Sequence, residues 1–259
     1  MAGSKVFVME HENSLGTRET RTAAAIHIFC DFDGTISTVD IGDAMFDRFS
    51  NRDPWHAELL ARRLHIREYW KKVAAALREP MTLEALDTFL REVPIDPGFE
   101  ALLELAGEQR IPITVVSDGL DLYIERYLAL NGVAPLPLFC NRATLMEDGS
   151  LEICYPFASE GCDCFCATCK RNVVLTESAP DAIIVYIGDG VSDFCPAEHA
   201  DIVFAKKSLA AYCNEHRIPH HPFQTLADVT RQLRLLLERR RIRPRHQAAL
   251  RRKQAFEGE

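Results

Sequence analysis

The feature that most constrains this chain is the run Ala182–Ile187, AIIVYI, in which every residue is apolar, so neither face of the segment is suited to water. A half-exposed strand alternates polar and apolar residues, whereas a run apolar on both faces belongs to a parallel sheet covered by helices on either side. Two further short, largely apolar runs, Ala24–Cys30 and Ile113–Val116, also read as buried strands. Each of the three stops at a polar cluster: Asp31-Phe32-Asp33-Gly34-Thr35, Ser117-Asp118-Gly119, and Gly188-Asp189-Gly190 followed by Ser192 and Asp193. Ligands of open parallel sheets bind beyond the carboxyl ends of the strands, so these clusters are the candidate site.

Between the runs the periodicity is helical. Apolar residues recur at three- and four-residue spacing through 41–90, as in Leu59, Leu60 and Leu64 or Trp70, Val73 and Leu77, with Pro80 as an interruption. Helices are also expected from Phe99, after Leu120, near Lys170 to Leu175 and from Leu226 to Arg239, with a hairpin around Asp148 and Gly149 and a short strand at 201–205. Strands alternating with helices predict an α/β fold: a doubly wound, Rossmann-like parallel sheet with a small helical cap domain inserted after the first strand. The expected division is a leader at 1–22, a core domain at 23–41 and 96–240, a helical cap domain at 42–95 and a basic tail at 241–259.

Residues two apart on an extended chain point the same way, so Asp31 and Asp33 enter the cleft together while Phe32 faces the opposite side. Crowded carboxylates repel, Asp189 adds to the crowding, and hard oxygen donors with room for water and phosphate suit Mg²⁺. With such a cation, one carboxylate can attack phosphorus while a second protonates the leaving alkoxide and later deprotonates water. Ser117, the N–H groups near Phe32 and at Gly119, and a lysine can bind the charge of the transferring group.

On these residues the chain resembles the haloacid dehalogenase superfamily. DFDGT at Asp31–Thr35 is similar to its first motif, VVSDG at Val115–Gly119 to its second and GDGVSD at Gly188–Asp193 to its fourth. The resemblance implies Asp31 as nucleophile, Asp33 as general acid and base, and Ser117, with Asp118 and Gly119, on the substrate phosphate. It implies a magnesium site at Asp31, Asp189 and the backbone carbonyl of Asp33, with Asp193 as a further metal-site acid. Lys170 stands where the family places its third-motif lysine, binding phosphate and stabilising charge. The insert resembles the helical cap of the phosphoserine phosphatase subclass. CATCK at Cys166–Lys170 resembles the cysteine-rich loop of the 2-hydroxy-3-keto-5-methylthiopentenyl-1-phosphate phosphatases of methionine salvage, and that of phosphoethanolamine and phosphocholine phosphatases. Asp40, nine residues after the nucleophile, stands where phosphoserine phosphatases carry a glutamate. It either meets a polar or cationic group of the substrate or caps the helix starting near Ile41. The implied activity is hydrolysis of a small phosphorylated metabolite through an aspartyl-phosphate, the other class of reading being a non-catalytic binding protein on the same fold.

The remaining features bear on location and partners. No run approaches the roughly 18 apolar residues of a membrane span, and acids interrupt the start of the chain where a signal peptide needs an apolar stretch, so a cytoplasmic place is the default. Of the net charge of -8, the segment Arg231–Lys253 contributes +9 with ten basic residues and one acid, leaving an acidic body. That body argues against a nucleic-acid partner, with the arginine-rich end the one candidate contact and a solvated, frayed helix end its plainer reading. A homodimer stays open as the assembly. Among nine cysteines, Cys162, Cys164, Cys166 and Cys169 fall within eight residues; a metal, reduced thiols and a disulfide within the loop are the alternatives, and Cys195 is unremarked by position. Trp55, Tyr69 and Trp70 read first as the core of the helical block, with the lining of a substrate pocket as the alternative, and His220 and His221 read as loop residues.

Overall fold

The structure, a computed structural model, describes residues 25–159, 164–239 and 242–257. The expected leader at 1–22 and Cys162 therefore lie outside the described residues. In chain order the elements are β1 (Ile26–Cys30), α1 (Ile41–Phe49), α2 (Trp55–Leu60), α3 (Ile66–Ala75), α4 (Leu83–Glu92), α5 (Phe99–Gln109), β2 (Ile113–Leu120), α6 (Asp121–Leu130), β3 (Leu138–Leu145), β4 (Leu151–Cys154), α7 (Lys170–Glu177), β5 (Ile183–Gly188), α8 (Phe194–His199), β6 (Ile202–Ala205), α9 (Lys207–Glu215), β7 (His221–Pro222), α10 (Leu226–Glu238) and α11 (His246–Glu257).

The strands form one seven-stranded sheet in the order β4-β3-β2-β1-β5-β6-β7. All neighbours are parallel except β4, which folds back antiparallel on β3 as the expected hairpin. The central strand β1 pairs with β2 on one side and β5 on the other, so the three polar clusters end side by side. The apolar run of β5 divides between the two faces: Ile183, Val185 and Ile187 join the core shared with α5, α6 and α10, while Ile184 and Tyr186 join the core of α7, α8 and α9. Burial of both faces is what the unbroken apolar sequence required.

Helices α1 to α4 lie between β1 and β2 in the chain, and Met45, Phe46, Trp70, Val73, Leu86, Phe89 and Leu90 are buried in the same cluster as the sheet's larger face. Their starts follow local chemistry. Asp40 caps α1 by accepting from the N–H of Asp43 at 2.7 Å, and Thr82 caps α4 by accepting from that of Ala85 at 3.1 Å.

Two expectations are corrected. His221 is strand rather than loop, because a two-residue stretch beside Phe204 completes the sheet edge. The arginine-rich end is no frayed terminus: the Arg245 side chain donates to the carbonyls of Ala197, Glu198 and Ala200 at 2.8–3.0 Å, its N–H donates to Asp201, and α11 packs on α8. Helix-end carbonyls without intrahelical partners attract such donors.

Candidate active site

A cleft of about 350 Å³ opens over the carboxyl ends of β1, β2 and β5. Asp31, Asp33, Asp40, Ser117, Asp118, Gly119, Lys170 and Asp189 all line it, joined by Ile66 and Trp70 of α3, Tyr123 of α6, and Lys207. Asp193 lies directly beneath it, wholly buried.

Lys170, the first residue of α7, is 1% exposed and donates to Asp31 at 2.6 Å and to Asp193 at 2.7 Å. Burial alone would lower the pKa of its ammonium; Asp193 and Asp31 outweigh that and hold it above the ordinary value, so the lysine stays charged. The pKa of Asp31 is raised as well, which for a carboxyl favours the neutral form. Burial, then the charge of Asp193, raises its carboxyl well above the usual range against the pull of Lys170. Asp31, Asp189 and Asp193 each bring an oxygen within 4.8 Å of the other two, a concentration of hard anionic donors that fits a divalent cation.

The three acids are not equivalent. Asp193 Oδ1 accepts from Lys170 and, at 2.6 Å, from the Tyr186 hydroxyl, while Oδ2 accepts from the N–H groups of Asp189 and Gly190 at 2.9 Å each. Each of its oxygens accepts two hydrogen bonds, so Asp193 shapes the loop that presents Asp189, and it stands with Asp31 and Asp189 among the acids close enough to share a cation. Asp33 is not among the three converging carboxylates. Its Oδ1 accepts from the N–H of Ile41 at 2.9 Å, and its Oδ2 from the hydroxyls of Tyr123 at 2.8 Å and Ser117 at 3.3 Å. Burial first, then the neighbouring Asp40, pushes its carboxyl up to about 7, where it can hold or release a proton near neutrality.

Asp118 lines the cleft and also has a structural bond. Its Oδ1 accepts from the N–H groups of Ala167 and Thr168 at 2.7 and 2.6 Å, so it ties the loop before Lys170 to the end of β2. Asp40 caps α1 and also lines the cleft. Gly119 has no space for a side chain: a Cβ there would stand 1.9 Å from the Tyr123 hydroxyl and 2.7 Å from Asp33 Oδ2.

Tyr123, Tyr127 and Lys207 escaped the sequence. Tyr123 and Tyr127 are four apart on α6 and both meet the ring of Phe32, a spacing that marks one helix face but not what that face meets. Lys207 reads as a surface lysine from its doublet with Lys206, yet it donates to Asp189 at 2.8 Å from a backbone with φ of 45°. Trp70, read as core, is core and cleft wall at once.

A family model described as Putative Phosphatase matches residues 26–230. A 2-hydroxy-3-keto-5-methylthiopentenyl-1-phosphate phosphatase of Geobacillus kaustophilus is 33% identical over 207 residues, which is 78% of this chain and 92% of that protein. One of Geobacillus thermodenitrificans is 33% identical over 214 residues, 81% of this chain and 96% of that protein. Among solved structures, a phospho-aspartyl intermediate analogue of phosphoserine phosphatase superposes with a TM-score of 0.56 at 16% identity, covering 83% of this chain and 99% of that one. A haloacid dehalogenase family hydrolase from Salmonella enterica serovar Typhi superposes at 0.61 and 16% identity, covering 83% and 70%.

Proposed function

Because this chain belongs to the Putative Phosphatase family and is a phosphoric monoester hydrolase of the haloacid dehalogenase superfamily, we propose that it hydrolyses 2-hydroxy-3-keto-5-methylthiopentenyl-1-phosphate through an aspartyl-phosphate on Asp31. The observation that supports this chemistry is the pairing of buried Lys170 with Asp31 in a cleft where Asp189 stands close to Asp31 and the Asp33 carboxyl is pushed up to about 7.

In this reading Asp31 attacks phosphorus in line, and Lys170 stays charged beside it to bind the phosphoryl oxygens. Ser117, whose Oγ is held by the N–H of Gly119 at 2.9 Å, donates to another oxygen. Asp33, turned toward the leaving group by Tyr123 and Ile41, gives its proton to the departing oxygen and takes one from the water that then attacks the acyl phosphate. Asp31 and Asp189 would hold Mg²⁺, which, when bound, offsets the repulsion between the carboxylates and the phosphate dianion.

The substrate assignment rests on the named relatives and on Ile66 and Trp70 in the cleft lining, which offer an apolar surface to a methylthio chain. Asp40 beside Trp70 favours a second reading, an amino-alcohol phosphate whose cation meets an acid and an aromatic face. The test is a panel of phosphomonoesters, including the methylthiopentenyl compound, phosphoserine, phosphoethanolamine and phosphocholine, with Mg²⁺ and after chelation. The expected result is highest kcat/KM for the methylthiopentenyl phosphate, loss of activity on chelation, and a fall of at least about 10⁴-fold in Asp31→Asn. A cationic phosphate ester preferred over it would shift the assignment to the second reading; Mg²⁺-independent turnover or an active Asp31→Asn would sink the mechanism.

A further inference from the structure

The cysteine-rich loop acquires a partner from elsewhere in the chain. The sulfurs of Cys164 and Cys195 lie 3.0 Å apart across 31 residues of sequence. Cys164 stands in the loop that leads into Lys170, and Cys195 is the second residue of α8, directly after the segment ending in Asp193. The two strands of chain that meet in the Lys170–Asp193 ion pair thus meet a second time, through sulfur.

The separation discriminates among the chemistries open to such a pair. Two thiolates on a tetrahedral zinc with bonds of about 2.3 Å keep roughly 3.7 Å between them, wider than the separation of this pair. A disulfide requires about 2.05 Å, which the pair reaches by closing about 1 Å. The neighbouring structure confines where that movement occurs. Cys195 sits on a helix packed against α7 and α11, and its carbonyl is bonded to the His199 ring at 2.8 Å. On the other side, Ala167 and Thr168 are pinned to Asp118, and the N–H of Cys169 donates to the Phe157 carbonyl at 2.7 Å. Among the described residues of this loop, 164–166 are left to adjust, and Phe165, 36% exposed, rests against the ring of His65 at 4.9 Å.

We propose that Cys164 and Cys195 are a redox modification site: oxidised by hydrogen peroxide, they join in a reversible disulfide that staples the segment leading into Lys170 to the helix following Asp193. One thiolate attacks the peroxide, forming an S–O bond as the O–O bond breaks and the first water leaves. The second thiolate displaces the sulfenic oxygen, forming the S–S bond and releasing the second water. The two thiol hydrogens leave in those waters and the peroxide is reduced by two electrons. A dithiol reverses the bond, as suits a disulfide in a reducing setting.

The test treats the full-length protein, first reduced, with hydrogen peroxide, and maps its peptides without reduction. The peptide carrying Cys195 holds no other cysteine between Asn172 and Lys206, so its partner is identified by fragmentation. The expected product is Cys195 joined to Cys164 with loss of two hydrogens, absent in Cys164→Ser and in Cys195→Ser, reversed by dithiothreitol, and raising the melting temperature on the order of 10 °C. Cys195 left unlinked, linked to another cysteine, or still linked in Cys164→Ser overturns the proposal. So does a stoichiometric zinc ion that both variants lose, or a linked protein that melts no higher than the reduced one. The map of the unsubstituted protein stands whether or not the variants fold.

Discussion

Tyr123 is a completely buried residue whose hydroxyl has one evident task, to donate to Asp33 Oδ2. A hydrogen bond to a charged acceptor contributes about 1.5–3 kcal/mol, so Tyr123→Phe is expected to lower kcat about 10- to 100-fold with KM changed little. Steady-state kinetics decide; a raised KM at constant kcat would place the hydroxyl on the substrate instead. Lys170→Met has a different signature, because it leaves Asp31 and Asp193 buried without their cation. The expected cost is about 3–5 kcal/mol of stability in urea denaturation, together with loss of activity. At this scale the sequence exposed Asp31, Asp33, Ser117 and Asp189 because strand ends put them in a known direction. It hid the bonds of Asp118, whose partners lie 49 and 50 residues away, and the reach of Lys207 and Tyr123, since a helical side chain points wherever its helix is docked.

At the scale of elements, what was legible followed periodicity. The apolar runs of β1, β2 and β5 and the long helices were visible because burial of a whole face leaves a pattern, whereas β7, two residues long, leaves none. The placement of the hairpin was equally silent. Its turn residue Gly149, at φ of 79°, accepts from the Met81 N–H at 3.0 Å, and a Cβ on it would stand 2.4 Å from that of Pro80. The β3-β4 turn is therefore pressed against the link between α3 and α4, and it needs a residue with no side chain in a left-handed conformation. Gly149→Ala is expected to cost about 1–3 kcal/mol, measured as a lowered melting temperature. An unchanged value would mean that the turn is free of the helical block.

For the whole molecule, the contrast between an acidic body and an arginine-rich end is resolved inside the fold. Asp201 receives the backbone N–H of Arg245 at 2.8 Å and the Arg252 guanidinium at 3.1 Å on one oxygen, and the N–H of Ile184 on the other. Arg251 pairs with Glu198 at 3.0 Å. These contacts gather at the amino-terminal ends of β5 and β6, opposite the cleft, so the basic segment fastens the last helix to the sheet. Arg245→Ala removes the donors held by the carbonyls of Ala197, Glu198 and Ala200 and is expected to cost about 3 kcal/mol, lowering the melting temperature by about 5–10 °C. The folded fraction should keep its kcat, because no cleft residue touches this network. A basic end serving nucleic acid would behave in the opposite way: Arg245→Ala would leave the melting temperature alone and weaken binding to a DNA or RNA probe, with a shallower salt dependence. Thermal denaturation and a salt titration with such a probe, run on the same two proteins, separate a structural clasp from a binding surface.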